Sequence, residues 1–250
     1  MDEPKKDPYW KNILFKLTKG ENGLYSFAHD IAIVVAIVCC IGATLYVICG
    51  TWPAIVVIES NSMVPNMNVG DLVVVVDVDR FGNLVTWEEG KETEYTKFNN
   101  FGDVIIYRPN GITDTWAMLG LAPFSKQHPI IHRAMTRVES GQPDPIYASY
   151  NSEQETSAEL LLISHSNISS DYAGYITKGD YNRVSDQHYL SIPDVGDIQR
   201  VKKEWVIGKA LLIVPYVGLI PLHLTECALL ILTALILHEL YTRSRGKGPD

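Results

Sequence analysis

Ser62 is the residue of this sequence best placed to do covalent chemistry. It lies four residues beyond an apolar run, 31–58, that contains no charged residue, and a turn and then the β-prone run Leu72–Val76 follow it. A serine at that place is expected at the water edge of a membrane. The context predicts a serine hydrolase whose substrate also lies in or on the membrane. The rest of the chain must supply the base, the orienting acid and the oxyanion donor.

Four histidines in the middle of the chain are candidates for the base that a serine hydroxyl needs: His128, His132, His165 and His188. His132 stands out because it follows Pro-Ile-Ile in a predicted strand and precedes Arg133. A polar ring at such a position points either to solvent or into a site. Taken alone, a strand histidine is more often structural than catalytic, so the base remains a hypothesis on this pattern.

The run Gly-Asp-Tyr-Asn-Arg-Val-Ser-Asp, which ends at Asp186, is the best candidate for the acid that orients the base. Its glycine permits a tight turn, and Asp180 or Asp186 could hold an imidazole and stabilise its protonated form. Gly-Asp turns are common, and three others occur in the chain. For the oxyanion, the backbone N–H of Ser62 and the hydroxyl of Ser60 could face the developing charge. Ser60 is also typical of an ordinary turn.

The first apolar run predicts a membrane anchor at residues 31–53. About 20 apolar residues span the roughly 30 Å hydrocarbon core of a bilayer. The run is too long for a cleavable signal peptide, and no small-x-small site precedes a mature start. Five lysines lie in residues 1–30. The positive-inside rule therefore predicts a cytoplasmic N-terminal segment and an extracytoplasmic domain at 54–212.

A second apolar segment predicts a second transmembrane helix within residues 213–240. Two prolines, His223 and Glu226 interrupt its first half, so a buried or interfacial helix is the alternative. A second crossing would return the basic tail, 241–250, to the cytoplasm, which agrees with the orientation of the first anchor.

Strand and turn signals dominate the residues between the two apolar segments. Aliphatic and β-branched runs predict strands at 72–76, 103–107, 129–135, 146–148, 159–163 and 205–210. No convincing amphipathic helix separates them. The expected fold is therefore mainly β, an antiparallel barrel or sandwich, with polar loops or hairpins near 83–100 and 148–171.

The charge and the cysteine content of the chain exclude some classes of function and of site. Between Glu59 and Glu204 there are 21 acidic and 12 basic residues, a net charge of −9, in a chain whose formal charge is −8. Nucleic-acid binding needs a basic footprint, so no nucleic acid is expected as a partner. All four cysteines lie in the apolar segments. The polar domain therefore has no disulfide, and no Cys/His spacing predicts a metal.

Five sequence blocks follow one another along residues 31–220. They are Ser-Met-x-Pro just after the anchor, Gly-Asp-Val-Ile-Ile-Tyr-Arg-Pro, Pro-Ile-Ile-His-Arg, Gly-Asp-x-Asn-x-x-x-Asp, and Val-Pro-Tyr-Val-Gly before the last apolar run. In this order and spacing they resemble type I signal peptidase in its archaeal and endoplasmic-reticulum form. The blocks are specific as a set, whereas Ser-Met-x-Pro alone would not be.

The resemblance implies a signal-peptidase-like antiparallel β catalytic domain with Ser-His-Asp chemistry. In this form a histidine occupies the place of the bacterial catalytic lysine. Ser62 would be the nucleophile and His132 the general base. Asp186 would be the third member of the triad, with Asp180 in support. Ser60 matches the position that lends its hydroxyl to the oxyanion hole in bacterial relatives.

The implied activity is removal of N-terminal signal peptides from secretory and membrane precursors, by cutting after small residues at the membrane surface. The precursor and the bilayer are the expected partners, together with the secretion translocon, and no metal or organic cofactor is implied. Met63 and the apolar residues 55–58 would line shallow pockets or dip into lipid. The acidic domain favours an archaeal plasma membrane over the reticulum. The triplet 167–169 is an N-glycosylation pattern of the kind that also occurs by chance.

Three features depart from the family pattern, and two rival interpretations remain. The base motif continues with Ala-Met rather than Val or Ile, and Tyr181 stands where asparagine or alanine is usual. Long intervals between blocks are the third departure, and they place insertions near 83–100 or 110–128 and near 140–171. One rival is a self-cleaving peptidase with a Ser-Lys dyad, which the anchors and the identity of His132 disfavour. The other is a non-catalytic membrane-anchored β module that acts as a scaffold or binding subunit.

Overall fold

The structure is a computed structural model that describes residues 21–112, 116, 127–150, 159–223, 226, 229–230 and 232–238. The chain divides into two units, Met1–Ile48 and Cys49–Asp250. In the first unit the described residues form a single helix. The second unit contains the strands and all the residues of the candidate site.

Helix α1, Glu21–Cys49, contains a 23-residue span, Phe27–Cys49, that is long and apolar enough to cross a membrane. The helix begins ten residues before the predicted start of the anchor. Apolarity marks the part of a helix that could lie in lipid, whereas helicity continues as long as the backbone is not interrupted, and no proline occurs in this stretch. The helix ends because Gly50 adopts a left-handed φ of +75°.

Antiparallel strands are the main regular secondary structure in the described part of the second unit. In the described residues they are β1 (Ile55–Val57), β2 (Leu72–Val76), β3 (Thr96–Lys97), β4 (Asn100–Phe101), β5 (Val104–Tyr107), β6 (Ile130–Val138), β7 (Pro143–Tyr150), β8 (Glu159–Ser169), β9 (Gly174–Lys178), β10 (Ser191–Ile192), β11 (Gly196–Asp197) and β12 (Val206–Val214). Six of them form one sheet in the order β1-β2-β12-β5-β6-β9. The others pair as three hairpins, β3–β4, β7–β8 and β10–β11. The prediction of a mainly antiparallel β domain is confirmed.

Each of the six predicted strands overlaps an observed strand, but the expectation that no helix separates them is wrong. Helix α2, Trp87–Thr93, lies within the segment predicted as polar loop or hairpin. Its start is a capping box in which the Thr86 side chain accepts from the Glu89 N–H and the Glu89 carboxylate accepts from the Thr86 N–H. The Thr-x-x-Glu spacing was therefore a readable signal for a helix too short to show a periodicity.

The second predicted transmembrane helix falls partly outside the described residues. Its first two residues, 213 and 214, belong to β12, in which Val214 pairs with Leu72 of β2. The β domain therefore extends to Val214, two residues beyond its predicted end at 212. Helix α3, Leu219–Leu222, follows, and residues 226, 229–230 and 232–238 are helical. Within the described part of the chain, α1 is the one helix that could span a membrane by length and composition.

Buried side chains lie on both faces of the six-stranded sheet, as the alternation of strand side chains requires. One face carries Val73, Val75, Val104 and Ile106, which pack with Met63 and Met67. The other carries Ile105, Tyr107 and Ala134, which pack with Ile198 and Val201. Burial of each large aliphatic side chain contributes about 1.5–3 kcal/mol. Both faces of the sheet are therefore covered by packed side chains. Strand β6 lies inside this sheet, between β5 and β9.

Candidate active site

His132 and Asp186 form a buried pair. The His132 Nδ1 lies 2.6 Å from Asp186 Oδ2, and their side chains are 5% and 1% exposed. His132 sits on β6 opposite Ile105 of β5, and Asp186 opens the 3₁₀ turn Asp186–His188. A carboxylate at Nδ1 selects the tautomer in which Nδ1 carries the proton, so Nε2 is left as the basic nitrogen of the ring. This is the arrangement that a general base requires.

Two hydroxyl groups hold the Asp186 carboxylate against the imidazole. Its Oδ2 accepts hydrogen bonds from Thr177 Oγ1 at 2.7 Å and from Tyr107 Oη at 3.1 Å. Thr177 and Tyr107 come from β9 and β5, the two strands that flank β6. Burial, and secondly the charge of Asp186, raises the pKa of Tyr107 well above its ordinary value, so the phenol stays a donor. These two hydroxyls thus fix the position of the carboxylate beside the ring.

Sequence reasoning did not single out Tyr107 or Thr177. Tyr107 carried a signal, since it is the polar-tipped residue at the end of an otherwise aliphatic strand. Thr177 carried none, because a threonine in a strand is ordinary.

Asp180 belongs to a different network. Arg133 donates to it from Nε to Oδ1 at 2.8 Å and from Nη2 to Oδ2 at 2.7 Å. Neighbouring residues of a strand point to opposite faces, so Arg133 and His132 serve different carboxylates. Arg133 Nη1 donates to the backbone carbonyls of Lys97, Phe101 and Gly102, and Nη2 donates also to that of Phe98. Of the two aspartates that the sequence left open, Asp186 is therefore the one in contact with the imidazole.

Ser62 lies in the 3₁₀ turn Asn61–Met63, which contacts β6. The serine is half-buried, and its Oγ lies 3.1 Å from the Oγ of the exposed Ser60. Two hydroxyls at this separation can share one hydrogen bond. The Ser60 hydroxyl is thus adjacent to the Ser62 oxygen, as the oxyanion interpretation of Ser60 requires.

Met63 does not line a pocket or dip into lipid, which corrects that expectation. Its side chain is 1% exposed and packs in the core cluster with Ile58, Met67 and Val73. A turn cannot hold a reacting side chain steadily unless its own neighbours are packed. Met63 therefore fixes the turn that presents Ser62. Of the apolar residues 55–58, Ile58 is also buried, whereas Ile55 is exposed.

The segment that follows β9, residues 179–181, contacts the turn that contains Ser62. The Ser62 carbonyl accepts from the Tyr181 N–H at 2.9 Å. A Cβ on Gly179 would lie 2.6 Å from the same carbonyl oxygen, so a glycine is needed there for space. Asn66, four residues after Ser62, donates from Nδ2 to Asp180 Oδ2 at 2.8 Å. Three contacts thus connect the turn to the segment that begins at Gly179.

In the described residues the structure shows no hydrogen bond between Ser62 and His132. The two are nevertheless linked through the sheet. Arg133 pairs with Lys178 and Ala134 with Thr177, so the next residues along this register, His132 and Gly179, lie at one level. Gly179 in turn abuts the Ser62 carbonyl.

The other candidate histidines lie elsewhere in the second unit. His128 Nδ1 lies 3.0 Å from the Glu59 carboxylate at the surface. His188 Nδ1 lies 3.2 Å from Ser185 Oγ, and burial lowers the pKa of His188. His165, expected in a polar loop, is part of β8. No group of three or more His, Cys, Asp or Glu residues that could hold a metal occurs among the residues described.

Comparison with known proteins adds no assignment. A scan against protein-family models finds no family that matches the chain, and a search of curated proteins finds no match. The interpretation of the site rests on its residues and their geometry.

Proposed function

We propose that this chain is a membrane-anchored serine endopeptidase that removes N-terminal signal peptides from secretory and membrane precursors. The observation that carries the proposal is the buried His132–Asp186 pair, 2.6 Å apart, on a strand that contacts the turn of Ser62. A buried imidazole held at Nδ1 by an oriented carboxylate is costly to maintain and has a direct use as a general base. Ser62, Tyr107, His132 and Asp186 belong to four of the five sequence blocks that resemble type I signal peptidase, which supports the proposal.

In the proposed reaction Ser62 Oγ attacks the scissile carbonyl carbon while His132 Nε2 takes the hydroxyl proton. Asp186 stabilises the imidazolium that results. The Ser62 N–H and the Ser60 hydroxyl donate to the oxyanion. When the tetrahedral intermediate collapses, the C–N bond breaks, Nε2–H protonates the leaving amine, and an ester on Ser62 remains. Water, deprotonated by His132, then attacks the ester and releases the acid and the serine.

The missing hydrogen bond between Ser62 and His132 is compatible with this chemistry. In unliganded enzymes catalytic hydrogen bonds are often long or poorly aligned and tighten only when substrate is bound. An extended substrate would supply the missing constraint. Among the described residues, 130–132 pair with β5, and the pairing of β6 with β9 begins at Arg133. A precursor could add to that edge as a strand next to His132.

Exposed apolar residues of the second unit support a role at a lipid surface. Ile55, Val69, Tyr216, Val217 and Ile220 are exposed, with Tyr216 72% and Ile220 63% accessible. The last three belong to a segment that packs against the first two regions, through contacts of Gly218 with Val57 and of Leu219 with Gly70. Apolar surface of this kind favours contact with a membrane.

Membrane attachment would also raise the rate of encounter. Signal-peptide precursors lie in the same bilayer as the anchor, and confinement to one surface raises the effective concentration of substrate. We place the domain on the extracytoplasmic side, in an archaeal plasma membrane in preference to the reticulum, with precursors, lipid and the translocon as partners. The lysines before α1 and the acidic domain support this orientation and source.

The test is cleavage of a labelled secretory precursor by membranes that contain the full chain. Wild type, Ser62→Ala and His132→Ala are compared at matched expression, with His128→Ala as the control for loss of a surface histidine. Cleavage after a small-x-small site that disappears in the first two variants and persists in the control supports the proposal. Cleavage by His132→Ala would mean that another group acts as the base. A wild type that cuts nothing in detergent and high salt would favour the scaffold function.

A further inference from the structure

Gln187, the residue after Asp186, carries a buried side-chain amide beside the candidate active site. It lies in the 3₁₀ turn Asp186–His188 and is 9% exposed. Its Oε1 accepts from the Thr177 N–H at 3.0 Å, and its Nε2 donates to the Gln199 carbonyl at 3.3 Å. A backbone N–H can only donate and a backbone carbonyl can only accept, so these two partners fix which end of the amide is oxygen and which is nitrogen.

The same amide nitrogen contacts the hydroxyl that holds Asp186. Gln187 Nε2 donates to Thr177 Oγ1 at 3.2 Å, and Thr177 Oγ1 donates to Asp186 Oδ2 at 2.7 Å. A threonine hydroxyl has one proton and two lone pairs. Because the amide N–H occupies a lone pair, the proton is left for Asp186 Oδ2 or for Tyr107 Oη, which lies 3.1 Å from Oγ1. The shorter contact, to Asp186, is the better hydrogen bond for it.

Gln187 also fixes the backbone that carries this hydroxyl. Strand β9 is the last strand in the order of the six-stranded sheet. On its outer side Tyr175 and Val201 exchange two backbone hydrogen bonds, 2.8 and 2.9 Å long. The N–H of Thr177, two residues further on, points to the same side, and the Gln187 amide accepts it there. One side chain therefore binds both the backbone N–H and the hydroxyl of Thr177.

We propose that Gln187 is a positioning residue for Asp186, and that it acts through Thr177. Hydrogen bonds run from Gln187 to Thr177 and from Thr177 to Asp186 Oδ2, the oxygen that lies 2.6 Å from His132 Nδ1. Rotation of Thr177 about χ1 would replace its hydroxyl with a methyl group and break both bonds, and the amide opposes that rotation. The role rests on the proposed function, because the orientation of the acid affects a rate only where His132 serves as the base.

The test is a double-mutant cycle on the full chain in detergent, with kcat for precursor cleavage as the readout. Gln187→Met keeps the length of the side chain but removes the amide, and Thr177→Val keeps the shape but removes the hydroxyl. We expect each change to lower kcat by about 10-fold, because misplacement of a group near the reaction costs up to about 10²-fold. In the double variant the loss should stay near 10-fold, since both changes break the same chain of bonds. Gln142→Met, which removes an exposed amide bonded to the Glu139 N–H, is the control and should keep the wild-type kcat.

An amide that only stabilises the fold would give a different result. Its bonds to the Thr177 N–H and to the Gln199 carbonyl remain in Thr177→Val. The two losses would then be independent and would multiply to about 100-fold. That outcome, or a wild-type kcat in Gln187→Met, overturns the proposal.

A second measurement does not depend on cleavage. In the full chain labelled with ¹⁵N-histidine, the proton on His132 Nδ1 gives a low-field NMR signal while it is held against Asp186, and a His132→Gln sample identifies it. Gln187→Met should move this signal to higher field, as a longer hydrogen bond does, and the move should be absent when Gln187→Met is added to Thr177→Val. An unchanged signal in Gln187→Met overturns the proposal whatever happens to kcat.

The two readouts separate failure of this proposal from failure of the proposed function. A signal that moves as expected in a chain that cleaves no precursor supports the role of Gln187 and refutes the peptidase. If Gln187→Met does not fold, Gln187→Glu takes its place in the cycle, because it keeps the shape and an acceptor for the Thr177 N–H. Failure of both variants to fold overturns the proposal, since the amide would then be needed for the fold itself.

Discussion

Gly179→Ala should lower the activity of the candidate site by displacing the backbone of Ser62, without changing any of the proposed catalytic side chains. The new Cβ would lie 2.6 Å from the Ser62 carbonyl oxygen and 2.8 Å from the Asn182 side chain. Relief to the start of the ordinary contact range, 3.4 Å, requires a displacement of about 0.8 Å. The carbonyl also accepts the Tyr181 N–H at 2.9 Å, so it cannot move away without weakening that bond. A displacement approaching 1 Å at a reacting group costs up to about 10²-fold in rate.

We therefore expect Gly179→Ala to lower kcat for precursor cleavage by about 10- to 100-fold. Overpacking of this kind also lowers the free energy of unfolding by about 1–3 kcal/mol. Both quantities can be measured on purified full chain in detergent, with saturating precursor for kcat and urea unfolding for stability. Gly141→Ala is the matched control. A Cβ there meets nothing within 4 Å, but φ is +76°, so the substitution costs about 1 kcal/mol of backbone strain without touching the site.

Two results would refute this reasoning. A Gly179→Ala protein with wild-type kcat would show that the close approach of residue 179 to the Ser62 carbonyl does not position the nucleophile. Equal loss of kcat in Gly141→Ala would show that lowered stability, rather than displacement of Ser62, explains the effect.

Three further predictions concern the buried charges. Asp186→Asn should lower kcat by about 10⁴-fold with the fold retained, measured by precursor cleavage and circular dichroism, because an amide cannot stabilise the imidazolium by charge. Arg133→Met should lower the free energy of unfolding by about 3–5 kcal/mol by leaving Asp180 buried and unpaired, and adding Asp180→Asn should recover part of the loss. Lys178 has a pKa of about 8 in the folded chain against an ordinary 10.5, so between these values the unfolded chain binds more protons. Its contribution to stability should therefore rise with pH across this window, and the rise should be absent in Lys178→Met when urea unfolding is repeated at each pH.

Much of the second unit was readable from local pattern. The runs at 72–76 and 103–107 predict strands because consecutive β-branched and aliphatic residues suit a buried sheet, and both strands are observed. The length and apolarity of 31–50 predict a helix able to cross a membrane, and α1 contains one. Strand β1 was not predicted because its three residues are too few to show an alternation.

The sequence by itself determined which residue types are available: a serine after an apolar run, a histidine in a strand, and two aspartates in one segment. It could not decide which aspartate meets the histidine, since Asp186 and His132 are 54 positions apart and their contact depends on how β5, β6 and β9 align. It also could not show that Met63 is buried or that Lys178 is a dehydrated cation. Burial and charge balance are properties of the packed sheet, because each depends on the groups that distant parts of the chain bring within a few ångströms.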